Sequence, residues 1–353
     1  MNQLIGRFGA GDAPGIDLRR APFNHRTSFV GSVTMPESAA LTATGSAQPK
    51  VAILLCTYHG QQYLAEQLES VAAQTHNNWE VWASDDGSED GTHKILNDYK
   101  QKWPDGCLSI HSGPAKGFAA NFLSLTCKTT IEANYYAYSD QDDIWEPNKL
   151  ARAVTWLETV PEDIPALYCS RTWLVDANNQ EFGVSPLYTK PPSFANALMQ
   201  NIGSGNTMVF NNAARALLRE AGEELPIVLH DWWTYMVVTG CGGRVFYDSK
   251  PTVRYRQHDS NLIGMNTTWR ARVKRIRMLW HGNYRAWNDG NIAALHVLNH
   301  RLSPQNRAIL ERFAQARDMS LIPRLINLKR SGVCRQTLLG NLGLVAAAIF
   351  RKL

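Results

Sequence analysis

Three aspartates stand within four positions at Asp140-Gln141-Asp142-Asp143, directly after the aromatic run 135–138. Carboxylates this close repel one another, so the cluster is expected to hold a cation. Oxygen ligands suit a hard divalent ion, and Mg²⁺ is commonly held by one or two carboxylates together with substrate phosphates. A second acidic pair opens the turn Asp85-Asp86-Gly87-Ser88-Glu89-Asp90-Gly91. These acids can accept hydrogen bonds from a base N–H or a ribose hydroxyl; alternatively, Ser88 or Asp90 caps the next helix. A further acid, Asp231, lies in His230-Asp231-Trp232-Trp233. Aromatic surroundings would strip it of water, raise its pKa and suit it to act as a general base. The alternative is an N-cap aspartate on a helix whose tryptophans are core.

Three more segments carry polar groups suited to a ligand. Thr57-Tyr58-His59-Gly60 can offer hydrogen bonds and an aromatic face to a base. Lys116, in the loop 113–117 ahead of a helix that carries Asn121, is placed for an anion or a nucleotide. In Tyr255-Arg256-Gln257-His258, Arg256 is a candidate diphosphate contact.

The elements that must hold these groups follow from periodicity. The continuous apolar run 51–56 predicts a strand buried on both faces, and 63–74 places Leu64, Leu68, Val71 and Ala72 on one helical face. Strands at 80–84, 108–111 and 135–138 alternate with helices over 90–102 and 117–127. That rhythm predicts an α/β fold with a mostly parallel sheet, whose strand ends share one edge where ligands bind. Beyond residue 167 only short apolar pieces recur, at 167–170, 207–210 and 245–247; this half is expected to complete the sheet and build the acceptor side. Residues 1–48, rich in Gly, Ala, Ser, Thr and Pro, read as a flexible leader.

Charge divides the chain unevenly. Residues 267–353 carry 16 Lys/Arg against 3 Asp/Glu, whereas the remainder carries 20 against 28. An acidic body with a basic tail points to an anionic surface as a partner of the tail, and the acidic body argues against a nucleic-acid binder. The six cysteines are scattered without a C-x-x-C pair, which argues against a zinc site and for a reducing compartment. No secretory signal and no membrane-spanning stretch is evident.

Taken together and in order, these segments over residues 50–264 resemble glycosyltransferase family 2. The wordings S-D-Q-D-D-I-W, H-D-W-W and Y-R-Q-H-x-x-N are similar to its bacterial rhamnosyltransferase branch. The resemblance implies a GT-A (Rossmann-like) domain over 49–266, inverting chemistry, a nucleotide-sugar donor and a divalent cation, Mg²⁺ or Mn²⁺. It also implies roles residue by residue. Thr57, Tyr58, Asp85 and Asp86 would face the nucleoside, with Lys116 and Asn121 lining the same pocket. Asp140 would face the ribose, Asp142 would be the main metal ligand, and Asp143 would be a third acid. His258, beside Arg256, would reach the metal or the diphosphate. Asp231 would be the base, although many relatives carry Glu where this chain has His230. Gly205, Asn206, His230 and Trp232 would lie near the reacting sugar or the acceptor. The branch implies transfer of L-rhamnose from dTDP-L-rhamnose to a growing, lipid-linked surface polysaccharide such as O-antigen or capsule. The alternatives are another UDP- or dTDP-sugar, or a non-catalytic sugar-nucleotide or membrane-binding protein; a nucleotidyltransferase would need a basic Gly-rich loop that Tyr58-His59-Gly60 does not supply.

The region 267–353 is helical by pattern. Trp269, Val273, Ile276, Leu279 and Trp280 share a face, with Arg270, Arg272, Lys274, Arg275 and Arg277 around the others. An amphipathic helix of that kind suits a membrane interface, as does the apolar stretch 338–350. The expectation is a cytoplasmic protein held peripherally on anionic lipid at the inner face of a bacterial inner membrane; packing of this helix on the catalytic domain is the other reading.

Overall fold

The computed structural model describes residues 48–257 and 283–353. The leader, His258 and the amphipathic stretch 269–280 lie outside the described residues.

Strand β1 (Val51–Thr57) is buried along its whole length, as its unbroken apolar sequence requires. It pairs in parallel with β2 (Trp79–Asp85) on one side and β4 (Tyr135–Ser139) on the other, and β2 pairs in parallel with β3 (Leu108–Ser112). Helices α1 (Leu64–Ala72), α2 (Thr92–Lys102) and α3 (Phe118–Cys127) form the crossovers. Each strand start falls within a residue of its predicted position. The C-terminal ends of β1, β2 and β4 therefore deliver Thr57, Asp85 and Asp140 to one edge of the sheet.

The second half of the sheet is mixed. The short β5 (Ile144–Trp145) precedes α4 (Lys149–Leu157), β6 (Ala166–Val175) and β7 (Glu181–Val184). The short α5 (Phe194–Ala197) and a 3₁₀ turn at Gly205–Thr207 lead into β8 (Val209–Asn211). Helices α6 (Asn212–Ala221) and α7 (His230–Gly240) precede β9 (Arg244–Arg256). The strand order is β3-β2-β1-β4-β8-β6-β9-β5, with β7 on β6. Strand β8 is antiparallel to both β4 and β6, which leaves β6 running the same way as β4. Phe210 faces both Tyr136 and Leu167, so the middle of β6 stands level with the end of β4 that carries the aspartates.

Strand β9 extends well beyond the predicted 245–247. The polar residues Asp248, Ser249 and Lys250 and then Pro251 hide it from a periodicity reading. In the fold they occupy an irregularity: Ser170 opposes Asp248 but Arg171 opposes Pro251, so β9 bulges where proline is tolerated. Asp248 is buried there with its charge answered by Arg152 (Nε 3.0 Å, Nη2 2.5 Å) and by the Tyr168 hydroxyl at 2.7 Å.

Apolar side chains fill both faces of the sheet. The C-terminal helices α8 (Asn283–Val297), α9 (Pro304–Asp318), α10 (Leu321–Ser331) and α11 (Leu338–Ile349) belong to one of these cores. Leu295, Leu298, Leu310 and Phe313 join a cluster that also contains Trp233, Tyr235 and Phe122. All six cysteines are unpaired.

Candidate active site

The sheet edge opens into a cleft of about 1240 Å³. Its floor and walls come from the ends of β1, β2 and β4, the start of α3, the loop 201–205, the start of α7, and β6 with β9.

At the β1–β2 end, one aspartate builds the loop and the next faces the cleft. Asp85 is buried and does not line the cleft, in contrast to the role the resemblance implied for it. Its carboxylate accepts from the Thr57 hydroxyl (2.7 Å), the Ser88 hydroxyl (2.6 Å) and the Ser88 amide (2.7 Å), with His93 Nε2 3.1 Å away. Burial pushes its pKa up, but the hydrogen bonds from Ser88, Thr57 and Gly87 outweigh it and hold the acid below the usual range. Neither Ser88 nor Asp90 is the helix cap: Gly91 is the N-cap of α2, and Asp90 just before it accepts from the Thr92 amide at 3.0 Å.

Asp86 lines the cleft and ties down the loop opposite, accepting from the amides of Ala115 (2.7 Å) and Gly117 (2.8 Å). Gly113 must be small there, since a Cβ would meet Asp86 Oδ1 at 2.7 Å. Asn121, also on the cleft wall, is fixed by the Ser84 hydroxyl (2.5 Å) and carbonyl (2.9 Å). Tyr58 is exposed at the rim. Lys116 points away: it is absent from the lining and its ammonium lies 3.3 Å from Glu224 on the surface.

The aspartate cluster separates into two parts. Asp140 and Asp142 line the cleft, whereas Asp143 is fully buried behind it. Asp143 accepts from the Asn206 side-chain amide and from the Arg256 backbone amide at 3.1 Å, so it is a structural acid. Burial, with the charges of Asp142 and Asp140, holds its pKa well above the carboxylate range. Asp140 is pushed to about 8 by burial and by the charges of Asp142 and Asp231. A cation between Asp140 and Asp142 would relieve that repulsion, and two oxygen donors on one open wall fit a hard divalent ion completed by water and phosphate oxygens. Among the described residues no three acids, histidines or cysteines converge as a closed metal cage.

Arg256 does not reach the cleft. Its guanidinium is buried, bonded to the Asp142 carbonyl (3.0 Å), the Ala177 carbonyl (2.7 Å) and the Glu66 carboxylate, and it stacks over Tyr63. This arginine braces the aspartate loop from behind, which removes it as a diphosphate contact. Its neighbour Tyr255 lines the cleft instead.

The opposite wall carries Asp231. Helix α7 starts at His230 after an N-cap at Leu229, so Asp231 lies inside the first turn and is not the cap. One oxygen accepts from the Gly205 amide at 3.0 Å and the other from the Trp232 amide at 2.6 Å. Burial raises its pKa to about 6 against these bonds and one from the Asn201 side chain. His230 is buried against Phe122 (stacked, 3.8 Å between centroids) and lines the same wall. Neither ring nitrogen has a hydrogen-bond partner, and burial drops its pKa to about 3, so the ring is neutral. Its Nε2 would lie 2.6 Å from a Cβ at Gly205, which explains the glycine. Asn206 and Trp232, expected near the sugar, sit behind the wall: Asn206 holds Asp143, and the Trp232 indole donates to the Ala197 carbonyl at 2.6 Å.

Sequence reasoning missed the far end of the cleft, built by Ser170, Thr172, Ser185, Tyr188, Tyr247 and Tyr255. The hydroxyls Ser170 and Thr172, on either side of Arg171 in a strand apolar at both ends, were the available signal.

A cleft with paired carboxylates at the strand ends of an α/β sheet, together with a desolvated acid, has the features of an α/β enzyme's ligand site. Residues 52–225 match the glycosyl transferase family 2 model, so the chain carries a domain of that family, within a mixed α/β fold extended by C-terminal helices. The chain is 29% identical over 245 residues to the dTDP-rhamnosyl transferase RfbG of Shigella flexneri, covering 65% of this chain and 81% of that one. It is 34% identical over 110 residues to the putative glycosyltransferase EpsE of Bacillus subtilis, covering 31% of this chain and 39% of that one. Among solved structures, S. aureus TarS residues 1–349 superpose with a TM-score of 0.47 at 17% identity, over 80% of this chain and 90% of that one.

Proposed function

We propose that this glycosyltransferase moves a sugar from a nucleotide donor to an acceptor hydroxyl by a single inverting displacement, with Asp231 as the base. The carrying observation is Asp231 itself. It is aimed into the cleft, held by the Gly205 and Trp232 amides and desolvated to a pKa of about 6. Such an acid is ionised at neutral pH yet basic enough to take a proton.

Asp231 removes the acceptor hydroxyl proton as that oxygen attacks the anomeric carbon. The bond to the donor diphosphate breaks on the opposite face, through an oxocarbenium-like transition state. Tyr58, Asp86 and Asn121 hold the nucleoside end; Asp140, Asp142 and Asp231 line the same cleft. A divalent cation held by Asp142 and Asp140 would supply positive charge for the leaving diphosphate. The neutral His230 ring, packed on Phe122, keeps that wall apolar and Asp231 dry.

For the donor we propose dTDP-L-rhamnose, and for the acceptor a lipid-linked surface glycan met at the inner face of a bacterial inner membrane. The motif wordings and the similarity to a dTDP-rhamnosyl transferase favour this donor over other UDP- or dTDP-sugars. The test is a panel of nucleotide sugars, with Mg²⁺ or Mn²⁺ and with chelator, read by thermal stabilisation and donor consumption. Cation-dependent stabilisation by dTDP-rhamnose above all others supports the reading; stabilisation by none of the panel sinks it.

A further inference from the structure

Helices α10 and α11 form an antiparallel pair. Arg324, in the first turn of α10, donates to the Ala348 carbonyl near the end of α11 (2.6 Å) and to the Met319 carbonyl (2.5 Å). The pair is built the wrong way round for a water-facing surface. On α11 the fully buried residues are Ala347 and Ala348, whereas Leu338 (77% exposed), Leu339 (76%), Leu342, Val345 and Ile349 face outward. On α10 Leu321, Ile322 (70%) and Ile326 do the same. A helix that buries its alanines and exposes its leucines needs an apolar phase outside it.

Charge identifies that phase. Residues 321–353 contain six Lys/Arg and no Asp/Glu. Lys329, Arg330 and Arg351 are exposed. Exposed apolar side chains on two helices whose own charges are all cationic match an anionic bilayer surface. No described helix is long and apolar enough to cross a membrane, so the pair would lie along the interface.

The connection between the helices also ties this face to the cleft. Gln336 exchanges hydrogen bonds with the Lys190 backbone (3.1 Å each way) and Asn196 donates to the Cys334 carbonyl at 2.9 Å. Lys190 is two residues, at most about 7 Å of chain, from the cleft residue Tyr188. Thr337 leads straight into the exposed Leu338 and Leu339.

We infer that the outer face of the α10–α11 pair is a docking surface for anionic lipid, placed so that the tyrosine-lined end of the cleft meets acceptors carried in that bilayer. The inference sharpens the membrane part of the proposed function and is independent of the catalytic part. The experiment is cosedimentation of the full chain with phospholipid vesicles, neutral or with about 30% anionic lipid. Wild type should bind the anionic vesicles. The double variant Leu338→Asp/Leu342→Asp should bind about tenfold or more weakly, and Lys329→Glu/Arg330→Glu should lose the preference for anionic lipid. Both should keep the wild-type melting temperature, because the altered side chains are exposed. Three results would overturn the inference: wild type left in the supernatant, variants that bind like wild type, or a lipid-free dimer that the leucine variant dissolves. Vesicle binding requires no donor, so inactivity towards every nucleotide sugar would count against the catalytic reading alone.

Discussion

Asp231 and Arg256 are two charged residues with opposite fates in the fold, and each makes a separate prediction. Asp231→Asn keeps the hydrogen bond from the Gly205 amide but cannot accept a proton. Transfer should fall by about 10²–10⁴-fold with donor binding unchanged, measured by initial rates and donor titration. Because burial raises the wild-type acid to about 6, the base form is lost as pH falls through that value. The rate should therefore rise with pH to a plateau, with an acid limb near 6 that vanishes in the variant. Arg256 lies behind the aspartate loop. Arg256→Met should cost about 1–3 kcal/mol of stability by leaving the Asp142 and Ala177 carbonyls unanswered, seen as a lower denaturation midpoint. A donor KM effect with unchanged stability would instead restore it as a diphosphate contact. Asp85, held below the usual carboxylate range by Ser88, Thr57 and Gly87, contributes stability that is present above about pH 4 and is lost below it.

At the scale of elements, the cleft depends on close approaches between loops. The 3₁₀ turn at Gly205–Thr207 reaches across to α7, where the Gly205 amide meets Asp231 and its Cα faces His230. Gly205→Ala would drive a Cβ to within 2.6 Å of His230 Nε2. The turn or the ring must shift, so activity should drop by about tenfold or more for an overpacking strain of roughly 1–3 kcal/mol. Parallel rate and melting measurements test this: an unchanged rate would show that the turn does not position the base.

On the scale of the whole molecule, the C-terminal helices complete the core. Ile292, Leu295, Leu298, Leu302, Leu310 and Phe313 are buried with residues of the catalytic domain. At about 1.5–3 kcal/mol per buried side chain, they rival the roughly 5–15 kcal/mol that holds a domain folded. A chain cut after Gln257 should therefore lose its cooperative thermal transition. If it melts like the full chain, the helices are an appendage.

Local pattern alone determined the first half of this protein. The unbroken apolar run of β1, the alternation of strands with helices, and acids placed just past strand ends marked the sheet edge and its cleft, because a parallel α/β unit repeats a local rule. The family wording around Asp140, Asp142 and Asp231 was equally visible. Tertiary structure decided which charges reach the cleft. Asp85, Asp143 and Arg256 belong to the same motifs as their neighbours, yet a backbone amide, a side-chain amide and a pair of backbone carbonyls respectively turn each of them inward. Lys116 failed for the opposite reason, since its loop aims it at solvent. The far wall, from Ser170 to Tyr255, joins residues 85 positions apart, across β6 and a bulged β9 that polar residues conceal from periodicity. Sequence can name the acids that could do the chemistry, but desolvation and hydrogen bonding are properties of neighbours brought from elsewhere in the chain, and those neighbours set which acids are available.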